Sequence, residues 1–271
     1  MTHRCTHILE FGPMMVTKRF RSWNKDEPQR EWRTLRLLHT HAPGLAPMPV
    51  RADLNLTPPS LVMSRLNAVP LPAPLTSRQL ASLAEAISTA HRVVPAVDVA
   101  ALPLRLWHPA ETLARIRADC ARPLPQDLDR QVGQAITAAA SWAADPRLDT
   151  LAAPLERPVL GHGDGNLANF LRDADDRVHL VDFEDSGRSD PCYELADLIE
   201  HLSSWMVGAL DVTTLLEHFD LTTEEIARLR HFRRMLATWW LLTLLPDRPH
   251  HASNPPGTLE RQAARLLALL A

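Results

Sequence analysis

Three of the chain's nine glycines fall within Gly161–Gly165, inside the run PVLGHGDGNLANFLRDADDRVHLVDFEDSGRSDPCYELADL that spans 158–198. Such a concentration in a glycine-poor chain calls for special backbone geometry at that point. Val159-Leu160 reads as a short strand feeding a loop that carries His162, Asp164 and Asn169. Phe170-Leu171 and Val178–Val181 read as the arms of a hairpin closed over an Asp-Asp turn. Asp182 follows the second arm directly, so the hairpin folds back beside the loop and brings Asp164, Asn169 and Asp182 together. Oxygen-bearing side chains of this kind suit magnesium rather than zinc. An isolated Asp-Gly pair is usually ordinary turn chemistry, but several such residues in this order, with this strand context, go beyond it.

Around this stretch the twenty-three prolines divide the chain into short early elements and long later helices. His7–Phe11 and Met15–Phe20 flank a Gly12-Pro13 turn signal and read as a hairpin. Gln29–His39 reads as a helix, because Trp32, Leu35 and His39 recur at helical spacing ahead of Pro43-Gly44. Val50–Leu54 and Ser60–Leu66 read as two further strands. From Thr76 the period is helical, over Thr76–Arg92, Pro109–Cys120, Leu128–Ala143, Tyr193–Val207, Thr223–Leu245 and Leu259–Ala271.

Charge narrows the function classes. Lys and Arg number 29 against 32 Asp and Glu, a net of −3 that argues against a general nucleic-acid binder. The distribution is uneven: Asp145 to Asp220 holds seventeen acidic residues and five arginines, a net of −12, which leaves +9 for the rest. An acidic segment beside a basic one suits divalent cations or a cationic substrate as well as a plain solvated face. No run of eighteen apolar residues exists, and the first twenty residues lack the pattern of a signal peptide, so a cytoplasmic protein without a membrane partner is expected. Cys5, Cys120 and Cys192 are odd in number and far apart, which fits a reducing compartment. His3, Cys5 and His7 alternate as metal ligands can, but no second cluster completes a site and the run reads as a tail; His250 and His251 read as loop residues.

Phosphoryl transfer requires cations to neutralise phosphate charge and a carboxylate beside the incoming hydroxyl. HGDGNLANFL followed by LVDFED resembles the HGDxxxxN and Asp-containing metal motifs of the aminoglycoside phosphotransferase and choline-kinase-like family, which shares the protein-kinase fold. The resemblance implies an α+β, bilobal, protein-kinase-like fold: an antiparallel-sheet lobe over residues 1–66 with the hinge, and a mainly helical lobe over 67–271. It implies ATP and Mg2+ as cofactors, Asp164 as catalytic base, His162 as holder of the loop, Asn169 as metal ligand and Asp182 as principal magnesium ligand. DPCYELADL (190–198) resembles the family's DPxxDLA signature, with Glu194 where Asp is common, and is read as structural support. No GxxxxGK[ST], GxGxxG opening a helix, HExxH or GxSxG competes.

A kinase-like grip also needs a strand lysine paired with a helix glutamate. Alternation in Met15–Phe20 sets Val16, Lys18 and Phe20 on one face, so Lys18 points into a cleft with Val16 as roof over the adenine. Glu31 shares a helix face with Leu35 and Leu38 and is preferred over Glu27, which precedes Pro28 and is assigned to the loop. Leu61–Met63 followed by Ser64, Arg65 and Leu66 resembles the inter-lobe hinge, with backbone around Ser64 and Leu66 bonding the adenine edge. Seventeen residues precede Lys18 and hold one glycine, Gly12, so the family's phosphate-covering loop is expected to be shortened or absent.

The family phosphorylates hydroxyls of small molecules, often amino-bearing ones, and this resemblance implies an aminoglycoside-like antibiotic or a related metabolite as acceptor. Glu184, Asp185, Glu200 and Asp211 are candidates to receive its ammonium groups. Trp205, Trp239 and Trp240 are candidate pocket walls, with core positions expected for at least two. Two alternatives stay open: a choline or amino-alcohol kinase, and a non-catalytic module that binds nucleotide or a partner.

Overall fold

The computed structural model describes residues 6–125, 127–153, 157–206, 208, 210–248 and 253–271, so His3, Cys5, Val207, His250 and His251 lie outside the described residues. β1 (His7–Phe11) and β2 (Met15–Phe20) form the expected hairpin, with His7 opposite Phe20 and Phe11 opposite Val16. α1 (Glu27–His41) leads to β3 (Pro49–Asp53) and β4 (Ser60–Ser64), completing an antiparallel sheet in the order β1-β2-β4-β3. Strand alternation buries Val16, Lys18 and Phe20 from β2 and Leu61 and Met63 from β4. Helical spacing then lays Glu31, Thr34, Leu35 and Leu38 of α1 inward.

Two boundaries differ from the sequence reading. Glu27 is the first residue of α1 rather than a loop residue, because Pro28 sits in the first turn, where a missing amide costs no helical hydrogen bond. The strand expected to reach Leu66 stops at Ser64; Arg65 N then donates to Met14 O at 2.8 Å, drawing the chain along the hairpin turn.

The remainder is mainly helical. β5 (Val69–Pro70) precedes α2 (Ser77–Val93), α3 (Ala96–Ala100), α4 (Pro109–Cys120), α5 (Arg130–Ala143) and α6 (Arg147–Ala152). β6 (Val159–Gly161), β7 (Phe170–Arg172), β8 (Val178–Leu180) and β9 (Gly187–Ser189) follow. Helices α7 (Pro191–Glu200), α8 (Leu202–Trp205), α9 (Val212–Leu216), α10 (Thr223–Thr243) and α11 (Thr258–Leu270) close the chain. β5, β7 and β8 make one small antiparallel sheet, and β6 pairs with β9. Capping boxes at Thr76/Gln79 and Thr222/Glu225 start α2 and α10.

α7 packs on α10, with Tyr193 meeting Phe232 edge-on at 5.1 Å, and both rings are fully buried. Burying a ring of this size contributes about 1.5–3 kcal/mol. The single helix expected from Tyr193 is two: the backbone leaves helical geometry at His201 (ψ 140°), whose side chain accepts Ser203 N and starts α8. That break turns the His201 ring toward Asp164, at 3.8 Å. β5 and β9 were not anticipated, since two- and three-residue strands carry no readable period.

Candidate active site

Lys18 is only 2% exposed and Glu31 1% exposed, and Nζ donates to Glu31 Oε2 at 2.5 Å. The same ammonium donates to Asp182 Oδ1 and lies 3.0 Å from Glu184 Oε2. Burial opposes its charge, but the carboxylates of Glu31, Asp182 and Glu184 outweigh burial and hold the Lys18 pKa above the ordinary lysine value. Burial pushes Glu31 up to about 7, with Lys18 pulling the other way. Glu184 goes down to about 2: burial works against its charge, while the bonds from His7, Lys18 and Thr6 favour it.

Asp182 has φ +68°, a left-handed conformation that Asp tolerates better than most residues and that aims the carboxylate off the end of β8 toward Lys18. Asn169 ties this strand end to the Gly161–Asn166 loop. Its backbone oxygen accepts Val181 N at 3.0 Å, and its Nδ2 donates to Asp164 Oδ2 at 2.9 Å. The amide oxygen of Asn169 is thereby the end of that side chain left for a cation. Asp164 Oδ1 accepts Asn166 N at 3.0 Å, so both carboxylate oxygens are oriented.

The loop is shaped from beneath. His162 Nδ1 accepts Asp164 N at 3.3 Å, so Nε2 carries the proton and donates to Val181 O at 2.8 Å. The ring lies against Phe170 and Phe183, at centroid distances of 5.7 and 4.8 Å. Gly163 has φ +94°, and a Cβ there would run into the Asp185 backbone; a Cβ on Gly165 would run into α7 at Asp197. The glycine cluster therefore reflects close backbone approach on both sides of Asp164.

Glu194, read as structural support, accepts His162 N at 2.8 Å and Gly163 N at 3.2 Å through Oε2. Arg105 was not singled out from sequence. Its guanidinium donates to Glu194 Oε1 at 2.7 Å, Asp197 Oδ2 at 2.8 Å, Gly163 O at 2.5 Å and Leu106 O at 3.0 Å. The available signal was a lone arginine inside the apolar run Leu102–Trp107.

On the other side of Asp164 opens a cavity of about 520 Å³, whose walls include Asp185, His201, Trp107, Trp239 and Trp240. The Trp107 and Trp239 rings are 5.2 Å apart. Asp185 goes up to about 7, first through burial and then through the charges of Asp164 and Glu184. All three candidate tryptophans pack against the core, as expected for at least two; Trp239 and Trp240 also line this cavity and Trp205 does not. Of the candidate ammonium receivers only Asp185 faces it. Glu184 is engaged with Lys18, Glu200 is fully buried between Arg233 (2.7 Å) and Arg265 (2.5 Å), and Asp211 caps α9. At the end of β4, where the hinge is expected, Ser64 N donates to Met48 O and its Oγ accepts Met48 N, while Leu66 is half-buried just past β4; Val16 faces inward opposite Met63.

An antiparallel sheet carrying a lysine–glutamate pair, stacked on a helical region that supplies a His-Gly-Asp loop and a following Asp that meets that lysine, defines a small-molecule kinase with a protein-kinase-like fold. The model of the phosphotransferase enzyme family matches residues 7–232, and the chain belongs to that family. It is similar in structure to a GDP complex of an aminoglycoside 2′-phosphotransferase IIIa mutant, with a TM-score of 0.70 at 18% identity over 100% of this chain and 92% of that one. Choline kinase LicA from Streptococcus pneumoniae gives 0.63 at 18% identity, covering 100% and 91%. Spectinomycin phosphotransferase in complex with ADP and spectinomycin gives 0.62 at 12% identity, covering 99% and 86%. A search of curated protein sequences finds no match. Among the described residues no helix is long and apolar enough to cross a membrane.

Proposed function

We propose that the chain moves the γ-phosphate of ATP, with Mg2+, to a hydroxyl of a small cationic molecule of the aminoglycoside-like kind. The observation that carries this reading is the position of Asp164, between the Lys18–Glu31–Asp182 cluster and a cavity walled by Asp185 and three tryptophans. In this reading residues 1–66 form the nucleotide lobe and 67–271 the lobe that holds the acceptor, with the adenine edge meeting backbone around Ser64 and Leu66 under Val16.

The residues present fit a magnesium ion, because the Lys18 ammonium already rests against the oxygens of Asp182 and Glu184, a pocket built for positive charge. Asp182 and Asn169 would hold the ion, which when bound neutralises phosphate charge. The chain's own residues do the remaining work. Lys18, steadied by Glu31, orients the α- and β-phosphates. Asp164, held by Asn169 and Asn166, orients the acceptor hydroxyl and takes its proton as the oxygen bonds to the γ-phosphorus and the bond to the β,γ-bridging oxygen of ADP breaks. Asp185 and the indole faces receive the acceptor's ammonium group.

A second reading, a choline or amino-alcohol kinase, is favoured by the three indoles, because aromatic faces suit a quaternary ammonium that cannot donate hydrogen bonds. The test is ADP release with MgATP and a panel of aminoglycosides, choline and ethanolamine. Asp164→Asn should lower turnover by about 10²–10⁴-fold while leaving ATP affinity in place; unchanged turnover removes the assignment. Magnesium-dependent ATP binding with no release on any acceptor would point to a non-catalytic module.

A further inference from the structure

From sequence His7 belongs to a tail with no second cluster to complete a metal site, but the fold supplies that cluster from the far end of β8. His7 opens β1, and the hairpin register sets it opposite Phe20, two residues beyond Lys18. Its Nδ1 lies 3.3 Å from Glu184 Oε2. Thr6 Oγ1 donates to Glu184 Oε1 at 2.7 Å and lies 3.1 Å from the same imidazole nitrogen. One ligand atom each from His7, Asp182 and Glu184 falls within 4.8 Å of the others. The His7 and Glu184 side chains are only 13% and 15% exposed, so this contact is packed rather than a surface encounter.

We infer that His7 Nδ1, in the tautomer protonated at Nε2, and Glu184 join Asp182 as the ligands of a divalent cation at the phosphate end of the cleft, beside the one assigned to Asp182 and Asn169. The inference rests on the phosphotransferase reading, in which arriving phosphates draw Lys18 away from the two carboxylates. Lys18 keeps Glu31 as a partner in that movement, so the oxygens of Asp182 and Glu184 become available without stranding a buried ammonium. Thr6 fixes one oxygen of Glu184 and leaves Oε2 facing the imidazole. An imidazole nitrogen beside two carboxylates is a mixed donor set that favours Mn2+, Co2+ or Zn2+ over Mg2+, which takes oxygen ligands and keeps its waters. The site would therefore accept magnesium but hold manganese more tightly.

The test uses the full chain with Mn2+ and ADP and reads the metal's own signature. Electron spin-echo modulation of the bound Mn2+ should show coupling to a directly bound imidazole nitrogen, and that coupling should vanish in His7→Gln. Calorimetry should show the Mn2+ affinity of the ADP complex falling by about tenfold or more in His7→Gln, with a smaller fall for Mg2+. Binding of Mn2+ and ADP without nitrogen coupling in the unsubstituted protein, or coupling that survives in His7→Gln, overturns the ligand assignment alone. Failure of Mn2+ and ADP to bind the unsubstituted protein overturns the phosphotransferase reading and this inference together.

Discussion

Arg105 and Glu194, eighty-nine residues apart, meet at 2.7 Å with both side chains buried, and through Glu194 the pair fixes the backbone amides of His162 and Gly163 beneath the Asp164 loop. Arg105 also neutralises Asp197. Arg105→Met would leave two buried carboxylates without their cation, a loss of about 3–5 kcal/mol. In a chain of this size each kcal/mol lowers Tm by about 2–4 °C. Denaturant unfolding should show that loss, and Arg105→Lys should recover only part of it, because a point charge cannot serve Glu194, Asp197 and Gly163 at once.

The same pair sets an acid limit on stability. Burial opposes the Glu194 charge, but Arg105 and the Ser189 hydroxyl outweigh it and bring its pKa from 4.5 down to about 2. The ionised form is thus favoured more in the folded than in the unfolded chain. Its contribution is complete above about pH 4.5 and is lost as pH falls toward 2, amounting to about 3 kcal/mol. Urea unfolding between pH 5 and 2.5 should show this loss, with a shallower slope in Glu194→Gln.

Glu31 is predicted to matter through Lys18. With Glu31→Gln the ammonium keeps Asp182 and Glu184 as charged partners and is drawn toward them, away from the position that serves the phosphates. A displacement of this kind costs about 10²-fold in kcat/KM for MgATP. Steady-state kinetics against ATP should show it, with near-unchanged far-ultraviolet circular dichroism confirming that the fold persists. Unchanged kinetics would mean that Asp182 and Glu184 position Lys18 without help from α1.

Trp239 packs near Trp107 on the cavity wall, and in the proposed reading a cationic acceptor would meet its aromatic face. Removing one such face costs about 0.5–2 kcal/mol of binding. Trp239→Ala should raise the acceptor KM by about three- to thirtyfold while leaving the KM for ATP alone. Quenching of tryptophan fluorescence by the acceptor should shrink in parallel.

Several parts of this arrangement were legible in the linear sequence for a local reason. Val16, Lys18 and Phe20 share a face because strand side chains alternate, and Glu31, Leu35 and Leu38 share one because helical positions repeat every three to four residues. Asp164 and Asn169 are five residues apart on one tight loop, so their 2.9 Å contact needs little beyond that loop. Pro28 misled because its effect depends on whether it opens a helix or interrupts one.

What the sequence determined by itself was the longer strands and helices, their periodicity, and the cluster of glycine, carboxylate and amide groups that phosphoryl transfer requires. Only the tertiary structure decided which distant charges meet. Arg105 found Glu194 and Asp197, His7 found Glu184, and Glu200 was taken out of reach of any acceptor by Arg233 and Arg265. A buried charge must find an opposite charge wherever the fold delivers one, and no local pattern records a partner that lies a hundred residues away.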